Sequence, residues 1–582
     1  MATPVLRSSS TTKGMATAAT TMELTSLSSH IRTRPHHQHR HRQHRRRRVL
    51  AGLFLGGARR ENVENDENVR NVSCDIQFAA ARVRRKIAAS SSSSSSSVPP
   101  PPAAAASAAV GFDLETQQKK GEGEKYDFER KWYPIGVESD FEWRVSRREP
   151  IEIWLLGKRY VVWRKPKLSR GETAQWSVSI DLCPHRLAPL SEGRIEGDEG
   201  NLLCSYHGWQ FDCGTGDCTA LPQAAESLEG KIRSNQQCGL KILPCRSKYG
   251  LLWVWPAEEG EPEGDPMEIE PLEALESEEI EAVDNQWYVR DLKYDWDTFI
   301  ENILDPTHVP FAHHGIQGSR YKPSQFGLKL VRSEGEGGIR ANLAPMDPKL
   351  ANDPEELAKQ EGSFIEFVPP FLCRYNFLNL PKNRAFNLCV IGVPTRPGHV
   401  RCLFKFVVVN AETLPKFARW LIRKPAWLDH QARNRVFDSD GYLLYLQEKE
   451  LTYGSKKEWR KKFHMPTSAD ALVVGFRGWI DKFTNSGPYG DSIGKGHYDV
   501  QREEYSKREV LDRYEQHTKH CKACSGALRN TKIIQALAVV SCLVSACTRN
   551  VVCCLLSLAG VYFAEKWKQR FIFVDHVHAH QD

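Results

Sequence analysis

The chain has 582 residues, 40% of them hydrophobic and 10% aromatic, with a formal net charge of +8. That is apolar material for a real core, and length for a targeting segment plus two to four structural units. The positive charge sits in the first 110 residues, which hold 17 Lys/Arg against 6 Asp/Glu. The remainder is near neutral, so no charge argument supports a nucleic-acid partner.

Residues 1–110 are a leader rather than a domain. They contain HHQHRHRQHRRRR (His36 to Arg48), a serine run from Ser90 to Ser97, and then VPPPPAAAASAA. Rich in Ser, Ala and Arg and poor in acids, this is the composition of an organelle transit peptide. A low-complexity tail is the alternative. The chain's 16 cysteines follow no secretory signal and no disulfide-scaffold spacing, which fits an intracellular or organellar metalloprotein.

The expected folded part starts near Lys125. Short β-type runs, Ile151 to Arg164, Trp176 to Leu182 and Gly250 to Ala257, predict an antiparallel β domain over residues 125–260. Within it, DLCPHRLAPLSEG and LLCSYHGWQF place Cys183-x-His185 and, eighteen residues on, Cys204-x-x-His207. A zinc site usually takes a Cys pair and then a His pair. One Cys and one His on each of two hairpin-like loops suits a [2Fe–2S] centre with thiolates on one iron and imidazoles on the other. Cys213 and Cys218, just beyond, read as ordinary thiols.

An acidic stretch, Glu258 to Glu281, reads as a linker or surface loop. Residues 285–490 mix a helix (Trp296 to Leu304), strands (Asn387 to Val393, Arg401 to Val409) and further helix from Pro425 to Leu451, an α+β pattern. After the first helix comes ILDPTHVPFAHHG. Asp305 and His308 are three apart and meet on a helix face. His308 and His313 are five apart, a turn of about 500° on a straight helix, so they diverge unless Pro310 breaks the regularity. A metal site and a polar loop with satisfied histidines both remain open here. Downstream, RVFDSDGYLLYLQEKE offers Asp438 and Asp440, which as helix-start residues would be caps.

A CxxC segment follows over residues 505–530. Cys521 and Cys524 read as a dithiol redox switch, as a zinc pair with His517 and His520, or as cysteines without a special role. Ile533 to Cys547 and Val551 to Ala564 are apolar and each shorter than the ~20 residues of a spanning helix. They predict a membrane-anchoring helical hairpin over residues 531–565, with Lys566, Trp567, Lys568 and Arg570 at the boundary. A buried helix pair is the competing reading.

CPHR and CSYHGW, in that order and spacing, resemble a Rieske domain. Together with D-x-x-H-x-x-x-x-H they resemble the Rieske non-haem iron oxygenases. LPQAA, VVGFRGW (Val473 to Trp479), LDRYEQHTKHCKAC and FIFVDHVH extend the resemblance, over residues 125–582, to the membrane-bound plant and algal branch that includes pheophorbide a oxygenase. The resemblance implies an α+β oxygenase with a C-terminal hydrophobic helical hairpin. Cys183 and Cys204 would hold the inner iron of the [2Fe–2S] cluster and His185 and His207 the outer, with Trp209 shaping the loop. His308, His313 and Asp440 (or Asp438) would hold a mononuclear Fe(II) that binds O₂, with His314 a bystander. Asp305 would be a catalytic bridge to His207 of a neighbouring subunit in a ring, commonly a homo-trimer.

The resemblance further implies reduced ferredoxin as electron donor, thioredoxin as a partner of the CxxC, and a chloroplast thylakoid or inner-envelope location. The substrate would be a tetrapyrrole, pheophorbide a first, with protochlorophyllide or a linear bilin as alternatives. A non-catalytic Rieske component of an import complex is the competing function. Trp296, Phe299 and Phe311 are candidates to line the substrate pocket, though core packing is the commoner role of such residues.

Overall fold

The computed structural model describes residues 126–166, 175–277, 280–323, 327–332, 337–344, 362–380, 384–452, 458–484, 487–489 and 503–580; the expected leader lies outside them. Period-two burial builds the first sheets. In Ile151–Leu155, Ile151, Ile153 and Leu155 are buried and Glu152 faces out. This strand pairs antiparallel with Lys158–Arg164, and that one with Trp176–Ile180. A second sheet joins Tyr133–Val137, Leu251–Val254 and Cys245–Lys248. A third runs through Arg194–Glu196, Asn201–Leu203, Gln210–Phe211 and Cys218–Ala220. The antiparallel β domain is as expected.

The acidic stretch after it is a pinned strap. Ile269 and Leu272 are each 1% exposed, and the Trp132 indole N–H donates to the Gly264 carbonyl. Beyond it, an eight-stranded antiparallel sheet forms the second half. Its long central strands are Arg384–Arg396 and His399–Val409, and Tyr288–Leu292 pairs with His399–Val409. Three helices matter for the site: α1 (Trp296–Leu304), α2 (Ala426–Thr452) and α3 (Ala471–Phe483). Helix α1 lies so close to the sheet that a Cβ at Gly392 would come within 2.6 Å of the Phe299 ring. A buried ion cluster fixes it from the other side. Arg477 of α3 donates to Asp297 (2.8 Å) and to Glu301 (2.5 Å) of α1. The apolar core runs unbroken from the β domain into this half, with Phe128 edge-on to Trp296 and Tyr126 against Trp479.

The tail differs from the sequence expectation. The helix does not begin at residue 531 with the apolar run. The run is part of α4 (Lys522–Cys547), which starts inside the CxxC and continues for 26 residues. Mostly exposed, α4 is among the described residues the one helix long and apolar enough to cross a membrane. It pairs with α5 (Val551–Gln569) through Ser541–Ser557 and Gln535–Glu565 hydrogen bonds. Leu537, Leu543, Leu556 and Phe563 are more than 60% exposed, which overturns the buried-pair reading.

Candidate metal centres

The loops at Cys183 and Cys204 are one turn made twice. The N–H of Leu187 donates to the Cys183 carbonyl and that of Gly208 to the Cys204 carbonyl. The N–H of Cys183 returns to Ala188 and that of Cys204 to Trp209. The fourth residue after each cysteine is left-handed, Leu187 at φ 60° and Gly208 at φ 73°. Only the second loop meets this with glycine, the residue that adopts it without strain. The repeated turn brings His185 and His207 together at 4.5 Å between ring centroids, and Trp209 stacks flat on His185 at 4.7 Å and 3°. The thiols of Cys183 and Cys204 are 1% exposed, while His185 is at the surface and His207 half-buried. Two thiols inside and two imidazoles outside fit a Rieske cluster. Cys213 and Cys218 are buried, and burial raises both thiols above the ordinary range.

The second constellation forms where α1 stops. Because the helix ends at Leu304, the straight-helix divergence of the histidines never arises. A one-turn helix, Val309–Ala312, starts around Pro310 and carries His308 and His313 on its two flanks. Their Nε2 atoms are 3.3 Å apart. Helix α2 supplies Asp440, whose Oδ2 is 3.2 Å from His313 Nε2 and 3.8 Å from His308 Nε2. His313 is 3% and Asp440 5% exposed, and Asp440 Oδ1 is buried without a hydrogen-bond partner. Two imidazoles and one carboxylate converging with spare acceptor capacity fit a 2-His-1-carboxylate iron site. Burial opposes charge on His308, but Asp440 and Asp305 outweigh it and raise its pKa. Burial likewise raises Asp440, but His313 and His308 outweigh it and hold the carboxyl below its usual range.

Ser439 completes the site and was not foreseen. Its Oγ is 2.6 Å from His313 Nδ1 and 2.6 Å from the Val436 carbonyl. The hydroxyl donates to that carbonyl, so the imidazole N–H donates to Ser439, which leaves Nε2 as the inward lone pair. His578 of the FIFVDHVH ending also reaches this turn, 2.9 Å from the Ser439 carbonyl. No short motif near these residues points to either contact.

Asp438 is placed elsewhere. It and Asp440 lie in the middle of α2, not at its start, so neither is a cap. Asp438 is clasped by Arg290 at 2.7 Å and Arg513 at 2.6 Å. Asp305 Oδ2 is 3.6 Å from His308 Nδ1, and its Oδ1 accepts from the Thr307 N–H at 2.7 Å. His314 is buried away from the trio and accepts from the Arg320 N–H. Trp296 and Phe299, at 1% and 0% exposure, are core residues rather than pocket lining, and Phe311 is 54% exposed.

The CxxC thiols are buried, Cys521 at 4% and Cys524 at 0%. The zinc partner expected in His520 is turned away to Arg144, 3.4 Å from its Nη1. His517 does face the pair, and so does His430, which no spacing had indicated.

Comparisons with known proteins complete the description. A family model described as Rieske [2Fe-2S] domain matches residues 131–244, and one described as Pheophorbide a oxygenase matches residues 367–458. The chain is 34% identical to "Pheophorbide a oxygenase, chloroplastic" of Oryza sativa subsp. japonica, over 79% of this chain and 86% of that protein. It is 30% identical to "Flavonoid 8-hydroxylase 2, chloroplastic" of Ocimum basilicum, over 78% and 86%. It is 28% identical to "Protochlorophyllide-dependent translocon component 52, chloroplastic" of Arabidopsis thaliana, over 77% and 84%.

Proposed function

The chain belongs to the pheophorbide a oxygenase family of Rieske non-haem iron oxygenases, with a [2Fe–2S] cluster and a mononuclear iron site, and we propose that it opens the macrocycle of pheophorbide a in chlorophyll breakdown. The observation that carries the oxygenase chemistry is the convergence of His308, His313 and Asp440 in a chain that also holds the two Rieske loops. The higher identity to the rice pheophorbide a oxygenase than to the flavonoid and protochlorophyllide-dependent relatives supports the substrate.

The bound cofactors supply single electrons from the cluster and open coordination positions for O₂ at the mononuclear iron. Cys183 and Cys204 would hold one iron of the cluster and the more exposed His185 and His207 the other, on the side where reduced ferredoxin would dock. His308, His313 and Asp440 would hold the mononuclear iron. Ser439 fixes the tautomer and direction of His313. Asp305, 33% exposed and beside His308, is open to the partner subunit's His207 in a trimeric ring. From 3.6 Å its carboxylate would close on the His308 Nδ1–H and, in such a ring, also accept from the partner subunit's His207, and so connect the two centres. The relatives' chloroplastic names support a plastid location, and α4 with α5 would attach the protein to the thylakoid or inner envelope membrane.

A non-catalytic redox role at an import complex is the reading favoured by relatives such as the translocon component and Protein TIC 55. A pure electron carrier has no use for the second trio. Turnover with reduced ferredoxin, O₂ and a panel of pheophorbide a, protochlorophyllide, a linear bilin and a flavonoid, read by mass, tests the proposal. The expected result is a ring-opened product from pheophorbide a, abolished by His308→Ala with the Rieske spectrum intact. A merely hydroxylated product, or product from another substrate only, would reassign the substrate. Turnover surviving His308→Ala would refute the iron assignment.

A further inference from the structure

We propose that His430, His517, Cys521 and Cys524 hold a structural zinc ion, separate from both iron centres. The four side chains come from three segments: α2, the turn at Tyr514–Thr518, and the start of α4. Their donor atoms all lie within 4.8 Å of one another, and every one of the four residues is less than 5% exposed.

Three of the six donor–donor spacings are close to the edges of a zinc tetrahedron. Zinc bonds of about 2.0–2.1 Å to nitrogen and 2.3 Å to sulfur give donor–donor edges of roughly 3.3–3.8 Å. His517 Nε2 is 3.2 Å from Cys524 Sγ, and His430 Nδ1 is 3.5 Å from both Cys521 Sγ and Cys524 Sγ.

The imidazoles are oriented as metal ligands are. His430 donates its Nε2–H to the Trp287 carbonyl at 3.1 Å, and His517 its Nδ1–H to the Val289 carbonyl at 2.6 Å. These carbonyls, two residues apart, point the same way from the edge of Tyr288–Leu292. With the outer nitrogens protonated, both inner nitrogens turn lone pairs on the two sulfurs, the arrangement of ligating histidines backed by carbonyls.

The charge suits the burial. Two thiolates cancel Zn²⁺, so the filled site is neutral and tolerates a dry interior. Cys521 caps the N-terminus of α4, where the helix dipole favours a thiolate. Thiolate and imidazole donors in a tetrahedral set select zinc over harder cations. All four positions are taken by protein, which marks a structural rather than a catalytic site. A cleft of about 1390 Å³, to whose wall His430 and Cys521 both contribute, provides the entry path. A dithiol switch served by a protein reductant needs a sulfur at the surface, whereas Cys524 is fully buried and Cys521 is 4% exposed, at the cleft wall.

The test uses the full chain, purified anaerobically and assayed for zinc and iron per chain. The expected result is about one zinc in the wild type and in Cys183→Ser/Cys204→Ser, and none in Cys521→Ser/Cys524→Ser. Replacing the zinc by Co(II) in the wild type should give thiolate-to-cobalt charge-transfer bands and tetrahedral d–d bands, which needs no variant to fold. A zinc-free wild type with a Cys521–Cys524 disulfide in its peptide map overturns the proposal. So does a zinc-free wild type whose two thiols alkylate in the native state, and so does zinc that vanishes with Cys183 and Cys204.

Discussion

Asp438→Asn and Asp440→Asn lie two residues apart on α2 and should have opposite consequences. Asp438 is 1% exposed between Arg290 (0%) and Arg513 (2%), with contacts of 2.7 and 2.6 Å. At an effective dielectric of 20, opposite charges about 4 Å apart attract by about 4 kcal/mol. The amide loses two such attractions and leaves two guanidinium groups buried. The saved desolvation of the carboxylate returns part of this, so the net loss of stability is about 3–5 kcal/mol. Asp440 faces two imidazoles instead of two guanidinium groups. Its amide costs the fold about 1 kcal/mol or less but removes the anionic iron ligand. The assay is iron per chain in the soluble protein together with urea unfolding. Asp440→Asn should fall from about three irons to about two with near-normal unfolding. Asp438→Asn should unfold at much lower urea and keep about three irons in what remains folded. The reverse pattern would show that Asp438 is the ligand and refute the reasoning.

Three further outcomes are expected. Ser439→Ala removes the acceptor of the His313 Nδ1–H and should weaken iron retention against a chelator by roughly 10–100-fold, with the Rieske spectrum unchanged. Gly208→Ala puts a Cβ at φ 73° and 3.3 Å from Pro222 Cγ. That strain of about 1–2 kcal/mol should lower [2Fe–2S] occupancy, read by visible absorption and EPR. Burial, reinforced by Arg396, depresses the His399 pKa from 6.5 to about 4. The unfolded chain therefore binds a proton at His399 that the folded one refuses. Stability falls as pH drops from 6.5 to 4, by up to ~3 kcal/mol, and urea unfolding across that range should lose this slope in His399→Asn.

What could be read from the sequence was what lies close together in it. Each Rieske loop carries its Cys and His within three positions, so residue types and spacing were enough there; His308 and His313 flank a single turn, but their spacing alone left a polar loop open, and only the resemblance to the oxygenases pointed to iron. Ser439 was invisible because its contact depends on which face of α2 meets His313, a product of helix-on-sheet packing. His430 lies 87 residues before the His517 it joins. His520 was the local guess for that cluster, but the turn before α4 aims it at Arg144. The aromatics near the iron motif could not be sorted between pocket and core one by one for a related reason, although core packing was the commoner expectation and holds for Trp296 and Phe299. Trp296 and Phe299 sit on the sheet-facing side of α1, and only the sheet's position shows that this side is core. The helical tail was legible, but the start of α4 was not, because Lys522–Lys532 is polar at its surface and helical in its backbone.

Helix α2 carries His430 and Asp440 ten residues apart, about 15 Å along its axis. One residue inserted between them would advance one donor by about 1.5 Å and swing it by about 100°. Either the iron trio or the proposed zinc cluster would then lose a member. This stretch of α2 is therefore a ruler. Replacement is open at its exposed positions, Ala432 and Arg435, but a change in count is not. Changes of length belong outside this stretch, and a designer grafting a new substrate pocket onto this chain can make them elsewhere while leaving the length between the two donors alone.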